Sequence, residues 1–162
     1  MGADDQQQNR RCHKPKENKM VTMIKMRLML VDDEERFLQT TGKMIRKKGY
    51  DVITAASGEE CLEKLEKELV HVVILDVKMP GMDGVETLKR IKQRYPRIEV
   101  IMLTGHATAD SAVDGLKSGA TDYLQKPTGV EDLIAKAEQA FARHLEIEEK
   151  IRLAEAFKNS HI

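Results

Sequence analysis

The chain has 162 residues, enough to bury a real core as one domain, and its 27 Lys plus Arg balance its 27 Asp plus Glu. That balance excludes a global field toward nucleic acid or a membrane surface, and the absence of Trp leaves little for base stacking. There is no apolar run of about 18 residues and no secretory leader, and Cys12 and Cys61 lack metal or redox spacing, so a soluble, cytoplasmic protein is expected.

Residues 1–24 are polar, locally basic and aperiodic, and read as a flexible tail, either a solvated leader or a basic docking arm. From 25 to 145 short apolar runs alternate with amphipathic segments, and 146–162 extend the last of these. The first run, RLMLV at 27–31, is short and continuous, as in a strand buried on both faces. A helix over 34–48 follows, with Phe37, Thr41, Met44 and Ile45 on one face and Gly49 as its C′ residue. DVITA at 51–55 is the second strand. The capping box Ser57-x-x-Glu60 then opens a helix that should bury Cys61, Leu62, Leu65 and Leu69. HVVIL at 71–75 is the third strand. The next helix, 84–94, turns Val85, Leu88 and Ile91 inward and stops before Pro96. EVIML at 99–103 precedes a fourth helix over 109–117, carrying Ala112, Val113 and Leu116 and ending near Gly119. DYL at 122–124 is the fifth strand, and a second capping box, Thr128-x-x-Glu131, starts an unusually long last helix. Five strands alternating with five helices predict an α/β fold. The expected form is a doubly wound, flavodoxin-like parallel sheet of order 2-1-3-4-5 with right-handed crossovers.

In such sheets ligands bind outside the carboxyl ends of the strands, where the strand order reverses, here between strands one and three. Strand one runs into Asp32 and Asp33, and strand three into Asp76. Three carboxylates meeting there would repel one another unless a divalent cation joined them, and few hard oxygen ligands with room for water suit Mg²⁺. Strand four ends on Thr104, and strand five leads through Tyr123 to Lys126-Pro127. A carboxylate nucleophile, a hydroxyl donor and an ammonium are the parts that phosphoryl transfer needs. Taken singly, each has a plainer reading. Asp32 and Asp33 could cap the first helix, Asp76 could be a turn residue before Met79-Pro80-Gly81, and Thr104, Lys126 and Tyr123 could be ordinary strand-end or surface residues. The scattered histidines have no ligand partner at helical spacing, and the methionines read as packing.

Taken in order, the VDDE acids (31–34), Asp76 in LDVKMPGMDG (75–84), Thr104 in MLTG (102–105), and Tyr123 with Lys126-Pro127 in DYLQKP (122–127) make the chain resemble the receiver domain of two-component response regulators over about 26–145. The resemblance implies Asp76 as phosphoacceptor, Asp33 as a direct Mg²⁺ ligand, Asp32 acting through water and the Lys78 backbone carbonyl as a further ligand. It also implies a sensor histidine kinase as phosphodonor and a cis peptide between Lys126 and Pro127. In the switch it implies, Thr104 moves toward the phosphoryl group and Tyr123 turns into the vacated volume, altering the surface of the fourth helix, fifth strand and fifth helix. Such a protein catalyses only its own phosphorylation and dephosphorylation.

The tail EIEEKIRLAEAFKNSHI sets Ile147, Ile151 and Ala154 on one stripe, which is either a fraying helix end or a surface for a homodimer or partner. Two other functions compete with a stand-alone receiver. One is a receiver module of a longer hybrid kinase or transcriptional regulator. The other is a small-molecule phosphatase, against which stands Asp76-Val77-Lys78 where aspartate-nucleophile enzymes carry D-x-D.

Overall fold

The computed structural model of the chain describes residues 24–105 and 115–160. Five strands, β1 (Arg27–Val31), β2 (Asp51–Ala55), β3 (Val72–Asp76), β4 (Glu99–Thr104) and β5 (Asp122–Gln125), form one sheet. All neighbours are parallel, in the expected order β2-β1-β3-β4-β5. Helices α1 (Glu35–Lys47), α2 (Gly58–Lys67), α3 (Gly84–Arg94) and α5 (Val130–Ser160) connect or follow them. Of the fourth predicted helix, α4, residues 115–117 are described as helical; the rest lies outside the described residues, as does most of the 1–24 segment.

The central strands are apolar throughout because both faces of the sheet are covered. Side chains alternate between two layers. Met29, Val31, Val73, Leu75, Val100 and Met102 pack with Cys61, Leu65, Leu88 and Ile91 from α2 and α3. Leu28, Leu30, Val72, Ile74, Ile101 and Leu103 pack with Leu38 and Ile45 of α1 and Leu133 and Ala137 of α5. Each buried aliphatic side chain is worth roughly 1.5–3 kcal/mol. The sheet is therefore a rigid platform for whatever stands at its edge.

Local chemistry sets the helix ends. The Glu60 N–H donates to the Ser57 hydroxyl at 3.1 Å, while the Glu60 carboxylate reaches back to the Ala56 N–H at 2.8 Å. Asp83 caps α3 by accepting from the Glu86 N–H at 2.8 Å. Gly49 takes φ +90° after α1, a left-handed conformation that glycine adopts without steric penalty. Three expectations need correction. In α1 the buried stripe is Leu38, Thr41, Gly42 and Ile45, so Met44 is 43% exposed and Phe37 only half-buried. Leu69 is 66% exposed, because Glu68 already has extended backbone (φ −118°, ψ 138°) and α2 has ended. The second capping box does not form: the Thr128 hydroxyl donates to the Gly129 carbonyl at 3.5 Å, and Glu131 pairs with Lys48 at 3.2 Å.

Candidate functional site

The carboxyl ends of β1 and β3 lie side by side, with Val31 paired to Leu75 in register. Asp32 continues β1 by donating its N–H to the Ala55 carbonyl at 3.1 Å, and it is fully buried. One of its carboxylate oxygens accepts from the Glu34 N–H at 2.9 Å, and the other pairs with the Lys126 ammonium. Asp32 thus serves the approach to α1 without being its cap, since the N-cap is Glu34 and makes no side-chain cap bond. Asp33 is exposed and Asp76 buried. Oxygens of Asp32, Asp33 and Asp76 all lie within 4.8 Å of one another, the one such acidic group among the described residues.

Burial raises the Asp76 pKa to about 7, aided by the charges of Asp32 and Asp33 and opposed by Lys126 and by a hydrogen bond from the Lys78 N–H. Burial works against the Lys126 ammonium, but the hydrogen bond and charge of Asp32, with Asp76 and Glu34 behind it, hold its pKa above the usual value. The Lys126 N–H donates to the Thr104 carbonyl at 2.7 Å, which ties the end of β5 to the end of β4. The Lys126–Pro127 peptide is cis, as expected. Lys126 Nζ also stands 4.4 Å from the centroid of the Phe37 ring, a cation–π contact that aims the ammonium into the acid cluster.

Thr104 is buried at the end of β4. Tyr123 pairs in register with Met102, so Tyr123, Met102 and Thr104 share one face of the sheet. The Tyr123 hydroxyl is buried with no hydrogen-bond partner among the described residues, a state that costs about 1–3 kcal/mol. Its ring rests against the core layer shared with α2 and α3.

Three further participants carry no sequence signal of their role. Phe37 reads as a helix-face residue, and the Lys78 N–H is a backbone group. Gly84 reads as a helix start and as the last residue of LDVKMPGMDG, with no sign of the close approach that a Cβ there would make, 2.2 Å from the Asp76 carbonyl oxygen and 2.7 Å from the Val77 Cα. Only glycine lets α3 begin that close to the end of β3.

Comparisons with known proteins agree with this geometry. The family model described as response regulator receiver domain matches residues 28–138. The transcriptional regulatory protein ZraR of Escherichia coli is 38% identical over 115 residues, 71% of this chain and 26% of that protein. The alkaline phosphatase synthesis transcriptional regulatory protein PhoP of Bacillus subtilis is 37% identical over 121 residues, 75% of this chain and 50% of that protein. The chain therefore spans about a quarter to a half of the length of these curated relatives. Among solved structures, a CheY-like response regulator receiver domain protein from Methanospirillum hungatei superimposes with a TM-score of 0.72 at 32% identity, covering 76% of this chain and 98% of that one. A receiver domain protein from Clostridium thermocellum gives 0.71 at 35%, covering 75% and 98%. By its strand order, its acid cluster and these likenesses, the chain belongs to the response-regulator receiver domain family.

Proposed function

We propose that this receiver acts in the cytoplasm and takes a phosphoryl group onto Asp76 from the phosphohistidine of a sensor histidine kinase. It would signal through the conformational change that follows. The observation that carries the reading is the convergence of Asp76 with Asp32, Asp33 and Lys126 at the ends of three strands. A carboxylate oxygen of Asp76 attacks phosphorus, the P–N bond breaks with its electron pair left on the imidazole, and an acyl phosphate remains on Asp76. Lys126 meets one phosphoryl oxygen and the Thr104 hydroxyl another, and the added charge draws both toward Asp76. Tyr123 then turns to fill the space Thr104 leaves. Its buried hydroxyl, without a hydrogen-bond partner among the described residues, supports two positions. The chemistry is confined to the chain's own phosphorylation and dephosphorylation.

The donor set fits Mg²⁺: hard carboxylate oxygens, mutually repulsive when no cation lies among them, beside an exposed Asp33 with access to water. Asp33, Asp76 and the Lys78 carbonyl would hold the ion directly. Asp32 would act through water, since its two oxygens are already engaged by Glu34 and Lys126. When bound, the ion neutralises phosphoryl oxygens and orients them for in-line attack.

The test is incubation of the purified chain with a small phosphodonor and Mg²⁺, followed by intact-mass measurement. One acid-labile phosphoryl increment is expected, and it should vanish in Asp76→Asn while the circular dichroism stays unchanged. Equal incorporation in that variant overturns the assignment. The share of the relatives that this chain covers favours a second reading, a receiver module of a longer regulator. The length of the native gene product decides between them.

A further inference from the structure

Lys126 is held at the acid cluster by two kinds of contact, and only one of them is ionic. Its side chain is 18% exposed, and one of its three N–H groups goes to the Asp32 carboxylate. Its Nζ stands 4.4 Å from the centroid of the Phe37 ring, inside the roughly 6 Å over which a ring face attracts a cation. That attraction strengthens as the cation loses water, and here little water reaches the ammonium.

Both partners are anchored where they meet. Phe37 lies in the first turn of α1 and packs against the layer that contains Leu30, Leu38 and Leu103. The Lys126 backbone is tied by its N–H to the Thr104 carbonyl at 2.7 Å. The ring therefore stays with the core while the ammonium, at the end of a flexible stem, can travel over it.

The two contacts respond differently to a phosphoryl group. Strong acceptor oxygens on Asp76 compete with Asp32 for the Lys126 N–H groups and draw the ammonium across. A ring face attracts through its quadrupole and requires no particular N–H direction, so its hold survives that short displacement. A leucine at 37 would be apolar as well, yet it would offer nothing to a charge.

We propose that Phe37 is a positioning residue for phosphoryl transfer, whose ring face carries the Lys126 ammonium between Asp32 and the phosphoryl group and shields it from water in both states. The inference rests on the reading of Asp76 as phosphoacceptor.

The test replaces Phe37, in the full chain, by phenylalanines bearing one, two and three ring fluorines. Fluorine withdraws electron density from the ring face and keeps the ring apolar and close to its natural shape. Phosphate incorporation from a small phosphodonor with Mg²⁺, read by intact mass, should slow with each fluorine, reaching roughly a fivefold loss at three. Phe37→Leu should lose about as much, whereas a ring that served only as packing would give no trend along the series. In proton NMR spectra the ε-methylene of Lys126 should lie upfield under the ring current, before and after phosphorylation, and return to its ordinary position in Phe37→Leu. A wild type that takes up phosphate but shows a flat fluorine series overturns the role, and so does an ε-methylene at its ordinary position. A wild type that takes up no phosphate overturns the reading of Asp76 itself, and that outcome is visible without any variant.

Discussion

His71 shows how much one side chain can do away from the acid cluster. Its N–H donates to the Arg27 carbonyl and its carbonyl accepts from the Glu99 N–H, both at 3.0 Å, so it joins three strands at their amino ends. Its Nδ1 accepts the Arg27 N–H, also at 3.0 Å, and its buried ring lies 5.1 Å from Phe141 and 5.4 Å from His144. Protonation would put an N–H where a lone pair is needed. Burial lowers the pKa, with His144 and Arg27 adding to it and Glu148 opposing. The sign follows: below about pH 6.5 the unfolded chain takes the proton first, so stability is complete above that pH and falls as pH drops. His71→Gln keeps an acceptor and removes the titration. Urea melts at pH 7.5 and 5.5 should show a smaller acid loss in the variant, by at most about 1.4 kcal/mol per pH unit. Equal losses would mean that other groups carry the acid response. Cys61 makes the complementary case. Burial pushes its thiol up to about 12, leaving roughly one thiolate in ten thousand at pH 8. Peptide mapping after iodoacetamide treatment should find Cys61 unmodified in the native protein and modified in urea.

Elements were legible in the sequence to different degrees, and the reason is whether their signal is local. The runs at 27–31 and 51–55 match β1 and β2; β1 is covered on both faces and needs no pattern beyond apolarity, whereas β2 is an edge strand, half-buried at Asp51, Ile53 and Thr54. The third strand is displaced by one residue, with His71 outside it and Asp76 inside. The start of α2 was readable from the Ser57 cap and the end of α3 from Pro96, but the Thr128 box does not form, and the buried faces slipped at Met44 and Leu69, where tertiary packing and an early helix end decide. Gly84 is the element-scale feature that was least readable, since its need for glycine arises from the backbone of another element. Gly84→Ala must push α3 away from the end of β3, which bears Asp76. Overpacking of this kind costs about 1–3 kcal/mol. A lower melting temperature together with slower phosphate incorporation is expected. A variant that melts lower but incorporates at the wild-type rate would show that α3 can shift without moving Asp76.

At the scale of the whole molecule, strand order determines which residues meet. Asp32, Asp76 and Lys126 come from distant segments, and their meeting followed from the sequence because a switch point between strands one and three is a consequence of topology alone. What did not follow are the contacts that tune them: the Phe37 ring under Lys126 and the Lys78 N–H on Asp76, neither of which has a periodicity or a motif. The same topology makes the acid cluster a source of strain that is balanced only in part. Lys126 pairs with Asp32, whereas the charge of Asp33 adds to that of Asp32 in opposing ionisation of Asp76. Two consequences should appear together in thermal melts. Mg²⁺ at a hundred times its dissociation constant should stabilise the fold by about 2.7 kcal/mol, which for a chain of this size is a rise of several degrees. Asp33→Ala removes one repelling carboxylate, so the metal-free variant should melt at or above the wild type, while its response to Mg²⁺ disappears. A full Mg²⁺ response in Asp33→Ala would place the cation elsewhere. A metal-free variant that melts lower would mean that Asp33 contributes more through local hydrogen bonding than it costs by repulsion.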